Sequence, residues 1–128
     1  MEIENLDLTE KISKEWKPYN LAFIKRLELQ EGELIITFLY QERGASAWPD
    51  TSKQFYEVKI IFDSVSNLKL NFDRNYFYQI SGFNITDISK DGWEDINFEI
   101  TEIENEVINF NCKFITINSV SEPVSISL

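Results

Sequence analysis

The sequence predicts an all-β fold, an antiparallel β-sandwich or partly open barrel of about eight strands with one short N-terminal helix, on three observations. Apolar residues alternate with polar ones along several runs of the 128-residue chain. Short turn-forming breaks separate those runs, and only one stretch, near the start, repeats its apolar residues at helical spacing. At this length the chain reads as a single domain over residues 1–128, able to bury a core without disulfide or metal staples.

The helical stretch comes first. Leu8, Ile12 and Trp16 lie four residues apart, Asp7 or Thr9 can cap the first turn, and Pro18 ends the run, so a helix is expected near residues 9–17. Strands are then expected at 22–30 and 33–41, joined by a hairpin turn at Glu31-Gly32. Three runs show strict alternation: Tyr56, Val58, Ile60 and Phe62; Leu68, Leu70 and Phe72; and Ile96, Phe98 and Ile100. Further strands are expected at 76–88, 107–117 and 124–128, with turns at Asp73-Arg74-Asn75 and Glu104-Asn105. Within 76–88, Tyr76, Tyr78 and Ile80 share one parity while Phe83 and Ile85 take the other, so a β-bulge at Gly82 is expected to restore the inward face. The expected core is Tyr56, Val58, Ile60, Phe62, Leu68, Leu70, Ile80, Phe98, Ile100, Ile108 and Phe110. One long irregular connection, 42–53, carries Gly44, Trp48 and Pro49, and such connections often hold function.

Charge is the most uneven feature. Residues 87–106 hold eight of the 22 acidic residues against one lysine, so they carry seven of the ten net negative charges. Such a field attracts cations or a basic protein surface and repels nucleic acid and anionic membranes. The chain has no histidine and one cysteine, which excludes histidine-based catalysis and histidine- or thiolate-bound metal centres. No phosphate-cradling glycine motif occurs, so no cofactor is expected, and an enzyme here would be left with carboxylate, lysine or tyrosine chemistry. Cys112, flanked by Phe110 and Phe114, reads as a buried structural thiol. The acidic start and the lack of any long apolar run lead to the expectation of a cytoplasmic protein with no membrane association.

The spacing of Asp87, Ser89, Asp91, Gly92 and Asp95 matches the first part of a calcium-binding loop. Glu94 then stands where an aliphatic residue belongs and Phe98 where a bidentate glutamate is needed, so a turn between strands is expected rather than a strict calcium site. Trp48 and Trp93 fall in expected connections, where an aromatic can either anchor an interface or close the end of a core. The acidic residues between 95 and 102 can likewise be the solvated face of a strand.

The stretch 65–117 contains Asn67-Leu-Lys-Leu, Gln79-Ile-Ser-Gly-Phe-Asn-Ile-Thr-Asp-Ile-Ser, Gly92-Trp93-Glu94 and the closing Ile108-Asn-Phe-Asn-Cys112. With these it resembles small uncharacterised proteins of low-GC Gram-positive bacteria, some of which resemble immunity proteins encoded beside polymorphic toxins. The resemblance implies a cytoplasmic protein that binds one cognate toxin domain and blocks it sterically or by charge mimicry. It transfers no site residues. The leading expectation is therefore a non-catalytic inhibitor that neutralises a toxin, which can be a basic domain, through an acidic surface. That surface would centre on Asp91, Trp93, Glu94 and Asp95, with Glu99 and Glu102 adding long-range charge and Trp48 as a further contact. A β module that binds carbohydrate or another small ligand by stacking on Trp48 and Trp93, and a carboxylate-dependent enzyme, stand as alternatives, and the oligomeric state is left open.

Overall fold

Alternation becomes pairing between strands. The computed structural model describes residues 3–12, 15–44, 47–72, 78–92, 94, 96–104 and 106–126, and among these nine strands form two antiparallel sheets. They are β1 (Leu21–Gln30), β2 (Glu33–Tyr40), β3 (Phe55–Asp63), β4 (Ser66–Leu70), β5 (Tyr78–Gln79), β6 (Phe83–Asp87), β7 (Phe98–Glu102), β8 (Ile108–Cys112) and β9 (Phe114–Val124). One sheet has the order β5-β1-β2-β3-β9 and the other β4-β8-β7-β6, so the fold is an open sandwich and not a closed barrel.

The inward stripes meet between the sheets. Ile36, Phe38, Val58, Ile60 and Phe62 of the five-stranded sheet pack in one buried cluster with Phe83, Ile85, Phe98, Ile100, Ile108 and Phe110 of the other. Phe38 meets Phe83 edge-on at 5.0 Å between ring centres, and Phe62 meets Phe110 at 4.9 Å, so aromatic pairs lock one layer onto the other. A smaller cluster on the outer side of the first sheet joins Ala22, Phe23, Leu39 and Phe55, which is why the start of β1 is buried on both faces.

The expected core residues are buried with three exceptions. Tyr56 and Leu68 are half-buried against the cluster, and Leu70 is 43% exposed. Leu70 was expected inside by parity, but β4 is an edge strand whose register slips between Ser66 and Lys69, with Asn67 at a φ of 54°. The β1–β2 hairpin turns where expected, with Glu31 and Gly32 both at positive φ, as a tight two-residue turn requires.

The parity switch at Gly82 has a larger cause than a bulge. Ile80 still continues the ladder to β1, its N–H donating to the Ala22 carbonyl at 2.9 Å, whereas Phe83 pairs with Glu102 in the other sheet. The chain therefore crosses between sheets at Ser81-Gly82. Gly82 sits at a φ of 75°, and a Cβ there would lie 3.1 Å from the Cβ of Ile103. The run 107–117 is divided in the same way, with β8 in one sheet, β9 in the other and Lys113 at the corner, its N–H bonded to the Asp63 carbonyl at 2.9 Å.

At the N-terminus the expected helix is a 3-10 segment instead, Leu6–Lys11, followed by a second short one at Pro18–Asn20. Leu8, Ile12 and Trp16 do reach the core, but a helix this short has little stability of its own, and Trp16 stacks on Tyr40 at 5.0 Å outside any helix. The expected turn at Asp73-Arg74-Asn75, together with Tyr76 and Asn105, lies outside the described residues. So does the end of the expected strand 124–128, of whose described residues only Val124 is paired.

Candidate functional surface

Inward parity on the four-stranded sheet leaves a second set of side chains facing outward. Asn84 and Thr86 of β6, Glu99 and Thr101 of β7, and Asn109 and Asn111 of β8 alternate with buried Ile85, Ile100 and Phe110. Register aligns them into two rows. Thr86 lies opposite Glu99 and Glu99 opposite Asn111, while Asn84 lies opposite Thr101, Thr101 opposite Asn109, and Asn109 opposite Lys69 of β4.

The rows enclose a shallow groove of about 260 Å³, lined by Asn67, Lys69, Glu99, Thr101, Asn109 and Asn111. Its chemistry is short amides and hydroxyls around one cation and one anion, which offers many neutral donors and acceptors on a rigid platform. Asn84 spends its amide N–H on the Thr86 hydroxyl at 3.1 Å, whereas the shielded Oδ1 of Asn109 has no hydrogen-bond partner among the described residues. Sequence reasoning missed this face. The signal was present as amide or hydroxyl residues at alternate positions, Asn84-Ile-Thr86 and Asn109-Phe-Asn111.

Among the described residues, the exposed acids of the stretch fall into two groups with Glu99 between them. Asp87, Asp91 and Glu94 are exposed at the β6–β7 connection, and Glu104 and Glu106 are exposed at the β7–β8 turn. The five residues of β7 hold those two ends roughly 13 Å apart. Glu99 lies between them on the outer face. Of the other residues expected at the centre of an acidic surface, Trp93 and Asp95 lie outside the described residues.

The connection has the local chemistry of a turn. Asp87 Oδ1 accepts from the Ser89 N–H at 2.9 Å and from its hydroxyl at 2.6 Å, and these bonds hold the Asp87 carboxyl below the usual carboxylate range. A 3-10 turn over Ser89–Asp91 ends at Gly92, whose φ of 73° suits glycine. Among the described residues no three acidic or thiol side chains converge on a common metal position.

The expectation that Glu102 adds charge to a surface is corrected. Glu102 shares the inward parity of Phe98 and Ile100 and is 1% exposed. Its Oε1 accepts from the Val107 N–H at 3.0 Å and its Oε2 from the Ser81 N–H at 3.0 Å. The carboxylate therefore clips the β7–β8 turn to the crossover before β6, and serves the fold.

Trp48 is half-buried against the Phe23, Leu39 and Phe55 cluster. Its Nε1–H donates to the Gln41 carbonyl at 2.7 Å, and the Arg43 guanidinium lies 3.7 Å from its ring centre. Held by these contacts, Trp48 anchors the connection between β2 and β3.

Among the described residues no helix is long and apolar enough to cross a membrane. Comparison with curated proteins and with solved structures finds no significant match. Comparison with protein families does find one: the family described as immunity protein PIM8 matches residues 3–118, a span that takes in the N-terminal segment, β1 to β8, the start of β9 and the outward amide face. A match over so much of the chain shows that it belongs to the PIM8 immunity protein family.

Proposed function

We propose that the protein neutralises its cognate toxin in the cytoplasm by holding it against the outer face of the four-stranded sheet, with the acidic connections at both ends steering a basic toxin surface into place. Immunity proteins act by binding a toxin protein and not by catalysis, so the site sought is a surface. The observation that supports this face is its composition: Asn67, Lys69, Thr101, Asn109 and Asn111 form a groove beside Glu99, and exposed Asp87, Asp91, Glu94, Glu104 and Glu106 flank it.

The two parts do different work. Neutral amides on a rigid sheet give directional hydrogen bonds at short range, and they are already ordered by strand pairing before binding. Carboxylates at the rim act at longer range, raising the association rate with a partner of opposite sign. Trp93 and Asp95, expected at this surface from the sequence, belong to the same stretch of chain.

The test uses the cognate toxin, sought among the genes adjacent to this chain's own, with association followed at several salt concentrations. Reversing Asp91 and Glu94 to lysine should slow association and flatten its salt dependence while the fold stays intact, since both are exposed. An unchanged association rate would remove the acidic rim from the account.

A further inference from the structure

Ile103 is the most exposed of the large apolar side chains among the described residues, at 62%. It follows β7 directly and takes the next outward position after Glu99 and Thr101, since Phe98, Ile100 and Glu102 between them are buried. It therefore stands at the end of the amide face, on the same side as the groove.

The other exposed apolar side chains have different settings. Leu29 lies opposite buried Leu34 and Leu70 opposite buried Ile108, so both have inward parity and sit at the rim of the core. Phe114 belongs to the other sheet, with the Lys113 ammonium 5.4 Å from its ring centre, and Leu6 and Tyr19 lie in the 3-10 segments. A single exposed aliphatic side chain needs no explanation by itself, so what matters is how Ile103 is held.

Its backbone is fixed at several points. The Ile103 N–H donates to the Gly82 carbonyl at 3.2 Å, and the Glu104 N–H to the Ser81 carbonyl at 3.2 Å. Glu102, buried beside it, ties Ser81 to Val107 through its two carboxylate oxygens. Across from Ile103 stands Gly82, where a Cβ would lie 3.1 Å from the Cβ of Ile103, so that flank carries no side chain to cover it. A buried carboxylate and a left-handed glycine thus both serve one turn, and that turn presents a bare isoleucine. An apolar group fixed in advance loses little freedom when a partner covers it.

We infer that Ile103 is the apolar anchor of the toxin-binding face, entering an apolar recess on the toxin whose rim carries basic side chains that meet the exposed Glu104 and Glu106. Binding surfaces depend on a few well-covered anchors ringed by polar contacts. The outward residues of β6, β7 and β8 supply amides, hydroxyls and the Glu99 carboxylate, and Ile103 adds the apolar group that they lack. The inference rests on the toxin-binding reading above and names the residue on which that binding would turn.

Calorimetric titration of the cognate toxin into the parent, Ile103→Ala and Ile103→Val tests it. Ile103→Ala should bind about tenfold more weakly or worse and Ile103→Val about threefold or less, because alanine removes three carbons from the recess and valine one. The loss should appear as faster dissociation with the salt dependence of association unchanged, whereas reversal of Asp91 and Glu94 changes association. Both variants should keep the parent's circular dichroism spectrum and urea midpoint, since the position is exposed. Parent-like affinity of Ile103→Ala would overturn the inference. Glu99→Lys separates the anchor from the face. Parent-like binding by Ile103→Ala with weak binding by Glu99→Lys removes the anchor and keeps the face, and the opposite pattern keeps the anchor and removes the face.

Discussion

Replacing Glu102 by alanine tests how the acidic stretch is divided between fold and surface. The substitution leaves the buried N–H of Val107 and the part-buried N–H of Ser81 without the carboxylate oxygens that now accept from them at 3.0 Å each. A hydrogen bond to a charged group contributes about 1.5 to 3 kcal/mol, so losing both should destabilise the protein by about 3 to 6 kcal/mol. Glutamine keeps one acceptor oxygen and places an amide donor against the second N–H, so Glu102→Gln should lose roughly half as much or more. Glu99→Gln, three positions away on the same strand and exposed, should stay within about 0.5 kcal/mol of the parent. Urea unfolding followed by circular dichroism reads the difference: at an m-value of about 2 kcal/mol/M, 4 kcal/mol moves the midpoint by about 2 M. Equal midpoints for Glu102→Ala and Glu99→Gln would refute the clip and return Glu102 to the surface.

Three further outcomes follow from single residues. Gly82→Ala combines a left-handed backbone with a Cβ 3.1 Å from that of Ile103, so it should cost about 1 to 3 kcal/mol in the same unfolding assay, and a neutral result would contradict the tight crossover. The Cys112 thiol is pushed up to about 12, first by burial and then by the neighbouring Asp63 carboxylate, so a disulfide reagent near pH 8 should react only after unfolding, and fast reaction in the native state would contradict its burial. Asp87 is held below the usual carboxylate range by Ser89, so its bonds add stability above the unfolded carboxylate pKa and lose it as pH falls through the lower folded value. The melting points of Asp87→Asn and the parent should therefore differ near neutral pH and converge at about pH 2, and a constant gap would contradict that linkage.

The strand pattern was legible because burial on one face imposes period two, and Val58, Ile60, Phe62, Phe98 and Ile100 follow it without exception. The same pattern cannot say which sheet a strand joins. Runs 76–88 and 107–117 each read as one strand, yet each is divided between the two layers, the first flagged by Gly82 and the second only by a parity change across Lys113. The stripe of Leu8, Ile12 and Trp16 identified residues that reach the core but not their backbone, since tertiary packing of Trp16 on Tyr40 outweighs weak helical propensity. Charge density along the chain showed that residues 87–106 are unusual, whereas its distribution in space depends on β7 separating the two acidic connections. Even so, Glu102 could have been read correctly, because it continues the inward parity of Phe98 and Ile100.

The most direct test of the account is calorimetric titration of the cognate toxin into the parent protein and into Asn109→Arg. That substitution puts a bulky cation in the middle of the amide groove, where it meets Lys69 across the strand pair. The account predicts a tight complex with the parent and a loss of about 2 kcal/mol or more with Asn109→Arg, roughly a 30-fold weaker affinity, with the fold retained by circular dichroism. Equal affinity for the two proteins would contradict the claim that the outer face of the four-stranded sheet holds the toxin.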